Sequence, residues 1–150
     1  MSLNSLYFCY DGLLDALGQS QVLPYINRLV ESGHKFTVIS YEKEHRKESE
    51  LMDLQNKLND AGIVWKRLGF GKGKISFLKR VINGIFLIRK ICMNKQIDIV
   101  HLRGIHAALI FKLSFSKTPH IYDIRSFIGE LVDIGKLEQG TFIYKFWKSN

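Results

Sequence analysis

The sequence predicts an α/β fold in which a mainly parallel sheet carries helices on both faces. Short β-branched runs alternate with amphipathic helical segments along the chain, and glycines follow several of those segments. Such alternation requires right-handed crossovers, which build a parallel sheet covered on both sides. The 150 residues, 46% of them hydrophobic, suffice for one substantial core, and no linker or repeat divides them. We therefore predict a single domain over residues 1–150.

The first unit contains a strand, a glycine-bearing loop and a helix. The apolar run Leu6–Cys9 predicts the strand, and the polar loop Tyr10–Gln19 follows it. The next segment repeats apolar residues at helical spacing: Val22, Ile26, Leu29 and Val30. In this geometry the N–H groups at the helix start can point at an anion. The loop is therefore the first candidate binding edge, although an ordinary strand-to-helix turn has the same local pattern.

The later elements follow in alternation. Strands are predicted at Phe36–Ile39, Ile63–Leu68, Ile97–Leu102 and His120–Asp123. Helices are predicted at Lys47–Ala61, Ser76–Asn94 and Ile105–Phe115, and in the tail from Glu138. Gly33 and Gly62 follow two helices at the position where a glycine commonly ends a helix. Within the first unit, Ser20 is placed to cap the helix.

Candidate functional side chains follow the predicted strands, because ligands bind beyond the carboxyl ends of parallel strands. Arg103 and His106 come after the fourth strand, and their guanidinium and imidazole groups suit hydroxyls or phosphate. His101, still within that strand, is expected to have a buried structural role. Arg125 and Glu130 follow the fifth strand as a rim of opposite charges or a simple surface ion pair. No metal is expected, because cysteines and acidic ligands at zinc-binding spacing are lacking.

The charge is strongly basic and unevenly distributed. The net charge is +8, and Lys66–Lys95 contains nine Lys or Arg and no Asp or Glu. The helix Ser76–Lys95 is predicted to place six apolar residues inward and a basic side outward. The inward set is Leu78, Val81, Ile82, Ile85, Ile88 and Cys92, and the basic set is Lys79, Arg80, Arg89 and Lys90. This pattern indicates contact with an anionic membrane surface or a core helix whose polar face is basic.

The sequence gives weaker indications of other partners and of the cellular compartment. A nucleic-acid partner is not expected, because no recognition motif accompanies the charge. The segment Val81–Cys92 is too short and too charged to span a bilayer, and no secretory signal precedes the first strand. Two cysteines, Cys9 and Cys92, fit buried thiols in a reduced compartment. We expect a cytoplasmic location, with peripheral contact to the inner face of the membrane as a further expectation.

Three stretches resemble a known family. They are Tyr10–Tyr25, with Gly33-His34 after it; Asp98–Ala107; and Tyr122–Phe127. Together they look like the amino-terminal domain of retaining glycosyltransferases of the GT-B fold, a family that includes bacterial capsule, O-antigen and lipopolysaccharide enzymes. The resemblance implies a Rossmann-like domain that mainly holds the acceptor, as one half of a GT-B fold. It also implies transfer from a nucleotide-sugar to a lipid-linked or polysaccharide acceptor in bacterial cell-surface glycan synthesis.

The resemblance also implies roles for individual residues. Gly18, Gln19 and Ser20 would approach the donor phosphates, and His106 would reach the transferred sugar as the catalytic histidine. Arg103 stands where some relatives have another histidine. Arg103, Arg125 and Glu130 would face the acceptor or the cleft. Transfer would retain the anomeric configuration without a metal or other cofactor, since basic groups and a helix dipole stabilise the leaving phosphate.

The family's donor domain, with its paired glutamates, is expected to be absent from these 150 residues. The chain alone is therefore expected to be inactive, and to self-associate through the exposed cleft face or the aromatic carboxyl-terminal segment. An alternative is a non-catalytic module of flavodoxin-like topology that uses the same strand ends to bind a phosphorylated small molecule. A nucleic-acid binder, the third hypothesis, would show salt-sensitive affinity.

Overall fold

The computed structural model describes residues 2–94 and 96–124. Its five strands are β1 (Asn4–Cys9), β2 (Lys35–Lys43), β3 (Val64–Phe70), β4 (Ile99–Arg103) and β5 (His120–Asp123). Its helices are α1 (Leu23–Glu31), α2 (Glu48–Asp60), α3 (Lys74–Asn94) and α4 (Ile105–Leu113), and a π-helical turn at Gly18–Val22 leads into α1. The predicted strands and helices up to β5 are therefore confirmed, with shifted ends. The predictions for residues 125–150, including Arg125, Glu130 and the tail helix, lie outside the described residues.

The five strands form one parallel sheet in the order β3-β2-β1-β4-β5. The chain builds outward from β1 to β3 on one side, then crosses to the other side of β1 for β4 and β5. Helices α1 and α2 cover one face, and α3 and α4 cover the other. The predicted α/β, Rossmann-like sheet with helices on both faces is confirmed, and the strand order reverses between β1 and β4.

Side chains of the central strand alternate between two cores. Leu6 and Phe8 of β1 point into the core beneath α3 and α4, whereas Tyr7 and Cys9 point into the core beneath α1 and α2. All four are at most 1% exposed, as expected for a strand that is covered on both faces. The backbone of β1 is therefore fixed from both sides at the point where it enters the first loop.

Two details near the ends of elements differ from the sequence prediction. Strand β3 runs on to Phe70, two residues beyond its predicted end at Leu68. Ser20 is not a helix cap, because the chain is already helical before it, and its hydroxyl donates to the carbonyl of Ala16 at 2.7 Å. The glycine predictions are confirmed, since Gly33 and Gly62 both have positive φ after α1 and α2.

The orientation of α3 corrects the predicted inward face. Leu78 and Ile82 are exposed, and the residues buried against the sheet are Arg80, Gly84, Ile88 and Ile91. A close approach at Gly84 accounts for this rotation, because a Cβ there would lie 2.5 Å from the Tyr41 hydroxyl and 2.9 Å from the side chain of Ile110. Arg80 was predicted on the solvent-facing basic side, and that prediction is wrong.

Candidate functional site

The candidate site is the crevice at the carboxyl edge of the sheet between β1 and β4. The loop after β1 turns toward α1 on one face, and the chain after β4 turns toward α4 on the other. A crevice opens where neighbouring strands send their connections to opposite faces, and ligands of open parallel sheets bind there. The residues that border this crevice are Tyr10, Asp11 and Gly12 after β1, and Gly104 to His106 after β4.

A buried carboxylate from β2 fixes the loop after β1. Glu42 is 5% exposed, and its Oε1 accepts hydrogen bonds from the Leu13 N–H and the Ser40 hydroxyl, both at 2.7 Å. Gly12 lies directly over this carboxylate, since a Cβ there would be 2.6 Å from Oε2. The carboxylate thus supplies the acceptor that a buried loop N–H needs. The loop is held from beneath, and its geometry at the crevice is set by β2.

The next turn of the loop is held by ion pairs. Asp15 accepts from Lys43 at 2.9 Å and from Arg46 at 2.8 Å, and Arg46 also donates to the carbonyl of Leu14 at 2.9 Å. Burial raises the pKa of the Asp15 carboxyl, but the two cations outweigh it and leave that pKa below its usual value. Both cations come from the end of β2 or just after it, so the second strand positions the first loop.

The three residues predicted to approach donor phosphates bind their own loop. A Cβ on Gly18 would lie 2.5 Å from the carbonyl oxygen of Gly12 and closer still to that of Leu13. Gln19 donates its side-chain amide to the Leu13 carbonyl at 2.8 Å, and Ser20 donates to the carbonyl of Ala16. The glycine is thus required by the loop's own backbone. Contact between these residues and a donor stays a prediction.

On the α3 and α4 side, an imidazole stacks on the last aromatic ring of the β1 segment. His106, in the first turn of α4, lies with its ring 4.6 Å from that of Tyr10 at an interplanar angle of 19°. Burial lowers the pKa of His106, the Asp11 charge opposes that shift and the Arg80 charge adds to it. The environment therefore favours the neutral imidazole, in which one nitrogen can donate a hydrogen bond and the other can accept.

Arg80 reaches the same aromatic ring from below. Its Nε donates to the Tyr10 hydroxyl at 2.8 Å, its Nη1 donates to the carbonyl of Gly71, and its guanidinium lies 4.0 Å from the ring centre of Phe70. The Tyr41 hydroxyl donates to the backbone carbonyl of Arg80 at 2.7 Å. Arg80 thus joins the ends of β1 and β3 to α3 and fixes the ring on which His106 stacks.

Sequence reasoning did not identify Arg80 as part of this edge. A signal did exist, because Arg80 shares one helical face with Gly84, Ile88 and Ile91. That face carries fewer apolar residues than the opposite one, however, so hydrophobic periodicity alone predicts the wrong buried face of α3.

A second charged cluster lies on the α1 side of the crevice. Arg103 donates to Asp123 at 3.1 Å and to the side-chain carbonyl of Gln21, one turn beyond Gly18. His101 lies in the same cluster, with Nε2 3.9 Å from Asp123 and Nδ1 3.4 Å from the Tyr25 hydroxyl. Burial lowers the pKa of His101, while Asp123 opposes that shift. Its partial burial and close packing fit the structural role expected of His101.

Of the predicted site residues that the structure describes, Arg103 and His106 therefore lie at one edge of the sheet but on two sides of it. Arg103 points toward α1 and the π-helical turn, whereas His106 stands on the α4 side beyond Tyr10. Between them, Gly104 opens α4 and donates its N–H to the carbonyl of Asp123 at 3.1 Å. The first-turn N–H groups of α4 have no partner within the helix and face the end at which anions bind.

The described residues offer neither a metal site nor a membrane-spanning helix. Across residues 2–94 and 96–124, no three His, Cys, Asp or Glu side chains come together as a metal site requires. In the same ranges, no helix has both the length and the apolar character needed to cross a bilayer. Away from the crevice, a groove of about 630 Å³ lies between α1 and α2, with Leu23, Leu54 and Leu58 among its lining residues.

Comparison with known proteins identifies the fold. No protein-family model matches the sequence, and no curated protein matches it significantly. Among solved structures, the chain is similar to a glycosyltransferase from Rickettsia africae ESF-5, with a TM-score of 0.55 and 13% sequence identity. The match covers 95% of this chain and 35% of that one, so the chain spans about a third of that protein's length. At this identity the likeness shows the fold alone, which is a glycosyltransferase-like α/β fold.

Proposed function

We propose that this chain is the amino-terminal, acceptor-side domain of a retaining glycosyltransferase of the GT-B fold. The reaction would move a sugar from a nucleotide-sugar to a lipid-linked or polysaccharide acceptor in bacterial cell-surface glycan synthesis. The observation that carries the proposal is the position of His106, stacked on Tyr10 at the strand-order reversal. The fold likeness to a glycosyltransferase over 95% of the chain supports the same assignment.

In this proposal His106 contacts the transferred sugar. A neutral imidazole can donate to a sugar hydroxyl from one nitrogen and accept from another hydroxyl at the second. Its ring is fixed by the Tyr10 stack, so the hydrogen bond is oriented before the sugar arrives. His106 then stabilises the sugar as positive charge develops at the anomeric carbon, without itself transferring a proton.

The leaving phosphate is the second charge that the site would have to stabilise. The N–H groups at the start of α4, which have no partner within the helix, suit an anion, and preorganised donors of this kind lower the barrier where charge develops. Arg103 adds positive charge on the other side of the crevice, although its pairing with Asp123 offsets part of it. In the proposal Arg103, with Arg125 and Glu130, faces the acceptor or the cleft, and Gly18, Gln19 and Ser20 approach the donor phosphates.

The proposal assigns most donor contacts to a second α/β domain, so the 150 residues alone would bind nucleotide-sugar weakly and catalyse no transfer. The test therefore uses the protein that contains this domain together with its downstream sequence. That protein is incubated with a panel of nucleotide-sugars and a bacterial membrane extract, and nucleotide release and glycan labelling are measured. Transfer is expected from one donor class, with the anomeric configuration retained.

His106→Ala is the informative variant. Loss of one preorganised hydrogen bond in a water-excluded site should lower kcat about 10²- to 10³-fold. His45→Ala, at an exposed position after β2, is the matched control and should keep wild-type activity. A protein that binds a sugar phosphate at the crevice yet transfers nothing from any donor would favour the phosphate-binding module instead.

A further inference from the structure

Asp123 is an acidic residue at the edge of the crevice. It is the last residue of β5 and lies beside Arg103 in the register of the two strands. Its carbonyl accepts the N–H of Gly104 at 3.1 Å, so its backbone adjoins the start of α4. Its side chain is 33% exposed. The carboxylate therefore borders the end of α4 at which an anion would bind.

One oxygen of this carboxylate is committed to Arg103. The arginine is 9% exposed, and its guanidinium donates to Oδ2 of Asp123 at 3.1 Å and to the side chain of Gln21. Burial raises the pKa of Tyr7, and Arg103 opposes that shift through its charge and a hydrogen bond. A buried cation needs such partners, because an unpaired charge is costly to desolvate. Arg103 thus holds the Asp123 side chain in place.

The other oxygen of the carboxylate has spare capacity for hydrogen bonds. Among residues 2–94 and 96–124, no group donates a hydrogen bond to Oδ1 of Asp123. Nε2 of His101 lies 3.9 Å from Oδ2, which is too far for a hydrogen bond. An ionised carboxylate accepts at both oxygens. Oδ1 is therefore an oriented acceptor beside the start of α4.

We propose that Asp123 determines ligand specificity at the crevice by favouring a sugar phosphate over a phosphate without hydroxyl groups. Oδ1 accepts a hydrogen bond from a sugar hydroxyl, and hydrogen bonds to an ionised group are stronger than those between neutral groups. The same negative charge opposes a bare anion at the start of α4. The inference rests on the proposed function, in which a nucleotide-sugar occupies the crevice.

The test compares two probes, glucose 1-phosphate and inorganic phosphate, in titrations of the isotope-labelled 150-residue chain. Both should shift the amide signals from Gly104 to Ala107, and glucose 1-phosphate should bind more tightly. Asp123→Asn keeps the size of the side chain and removes its charge. Phosphate should then bind more tightly, and the preference for glucose 1-phosphate should fall about tenfold.

Asp60→Asn is the matched control, because it changes the net charge by the same amount. Asp60 ends α2 at the opposite edge of the sheet, where β3 begins, so this variant should keep the wild-type preference.

Arg103→Gln separates the contact made by Asp123 from the support that Arg103 gives it. The carboxylate remains in this variant, so the preference for glucose 1-phosphate should persist even if both probes bind more weakly. Asp123→Asn leaves the buried guanidinium without its counter-ion, and its melting temperature is measured for that reason. The paired variant, Arg103→Gln with Asp123→Asn, leaves no buried charge and should still lack the preference.

Two results would overturn the inference. If both probes shift the start of α4 while Asp123→Asn and the paired variant keep the wild-type preference, Asp123 does not select the ligand and the proposed function still stands. If neither probe shifts those signals at millimolar concentration, the inference fails together with the phosphate site of the proposed function.

Discussion

Replacing Arg80 with methionine tests whether a buried guanidinium organises the crevice. Methionine keeps most of the side-chain length and can still pack on Phe70, but it removes every hydrogen-bond donor. The Tyr10 hydroxyl and the Gly71 carbonyl then lose their partner. The hydrogen bond from Tyr41 survives, because its acceptor is the backbone carbonyl of residue 80. The variant therefore removes the side-chain contacts alone.

The expected change in the free energy of unfolding follows from the side-chain contacts that Arg80→Met removes. Each hydrogen bond from a charged donor contributes about 1.5–3 kcal/mol, and the cation–π contact with Phe70 contributes about 1–2 kcal/mol. Because methionine carries no charge, the variant avoids the cost of desolvating the guanidinium, and this offsets several kcal/mol of the loss. We expect a net loss of about 2–3 kcal/mol in the free energy of unfolding. For a chain of this size that corresponds to a melting temperature lower by about 5–10 °C.

The assay is urea unfolding with Lys79→Met as the control, because Lys79 is the exposed neighbour on the same helix. An exposed substitution of this kind should change stability by no more than about 0.5 kcal/mol. The Tyr10 ring signals should broaden in Arg80→Met, since the ring loses its anchor beneath His106. Equal stability of the two variants would refute the view that Arg80 holds the crevice together.

Two further predictions concern the first loop and pH. Gly18→Ala should lower the free energy of unfolding by about 2–3 kcal/mol, because the added Cβ meets two backbone carbonyls. Gly69→Ala, with open space around the Cβ, should be neutral or slightly stabilising. Equal effects of the two substitutions in calorimetry would contradict the tight packing described around Gly18. The folded-state pKa values of His101 and His106 are lowered, so the unfolded chain binds protons first, and the free energy of unfolding should decrease as pH falls through the unfolded-state histidine pKa of about 6.5. Measured by urea unfolding, the free energy of unfolding should decrease less steeply with falling pH in His106→Gln than in the wild type, and as steeply as in the wild type in His45→Gln. A free energy of unfolding that rises on acidification would exclude the lowered histidine pKa values.

Much of the fold follows from local pattern. The β-branched runs, the helical spacing of apolar residues and the glycines at positions 33 and 62 are short-range signals, and the structure confirms the elements that they predict. The carboxyl edge as the candidate site also follows, because parallel strands place their ends together. Strand ends were less predictable, since β2 and β3 extend as far as their pairing allows, to Lys43 and Phe70.

The rotation of α3 could not be read from periodicity. Apolar residues occur on both its inner and its outer side, so the pattern fits two orientations. The close approach of Gly84 to Tyr41 and Ile110 decides between them, and those contacts join residues far apart in sequence. Glu42 is a similar case: it lies in a stretch of mixed charge typical of a solvated surface, yet it binds the Leu13 N–H, 29 residues away.

Ligand binding at the crevice between β1 and β4 is the premise of the proposed function. Its most direct test is a titration of the isotope-labelled chain with a nucleotide-sugar at millimolar concentration, followed by backbone amide shifts. Perturbations are expected at Tyr10, Asp11 and Gly12 and at the start of α4, from Gly104 to Ala107. Perturbations confined to the groove between α1 and α2, at Asn27, Glu50 and Lys57, would contradict it.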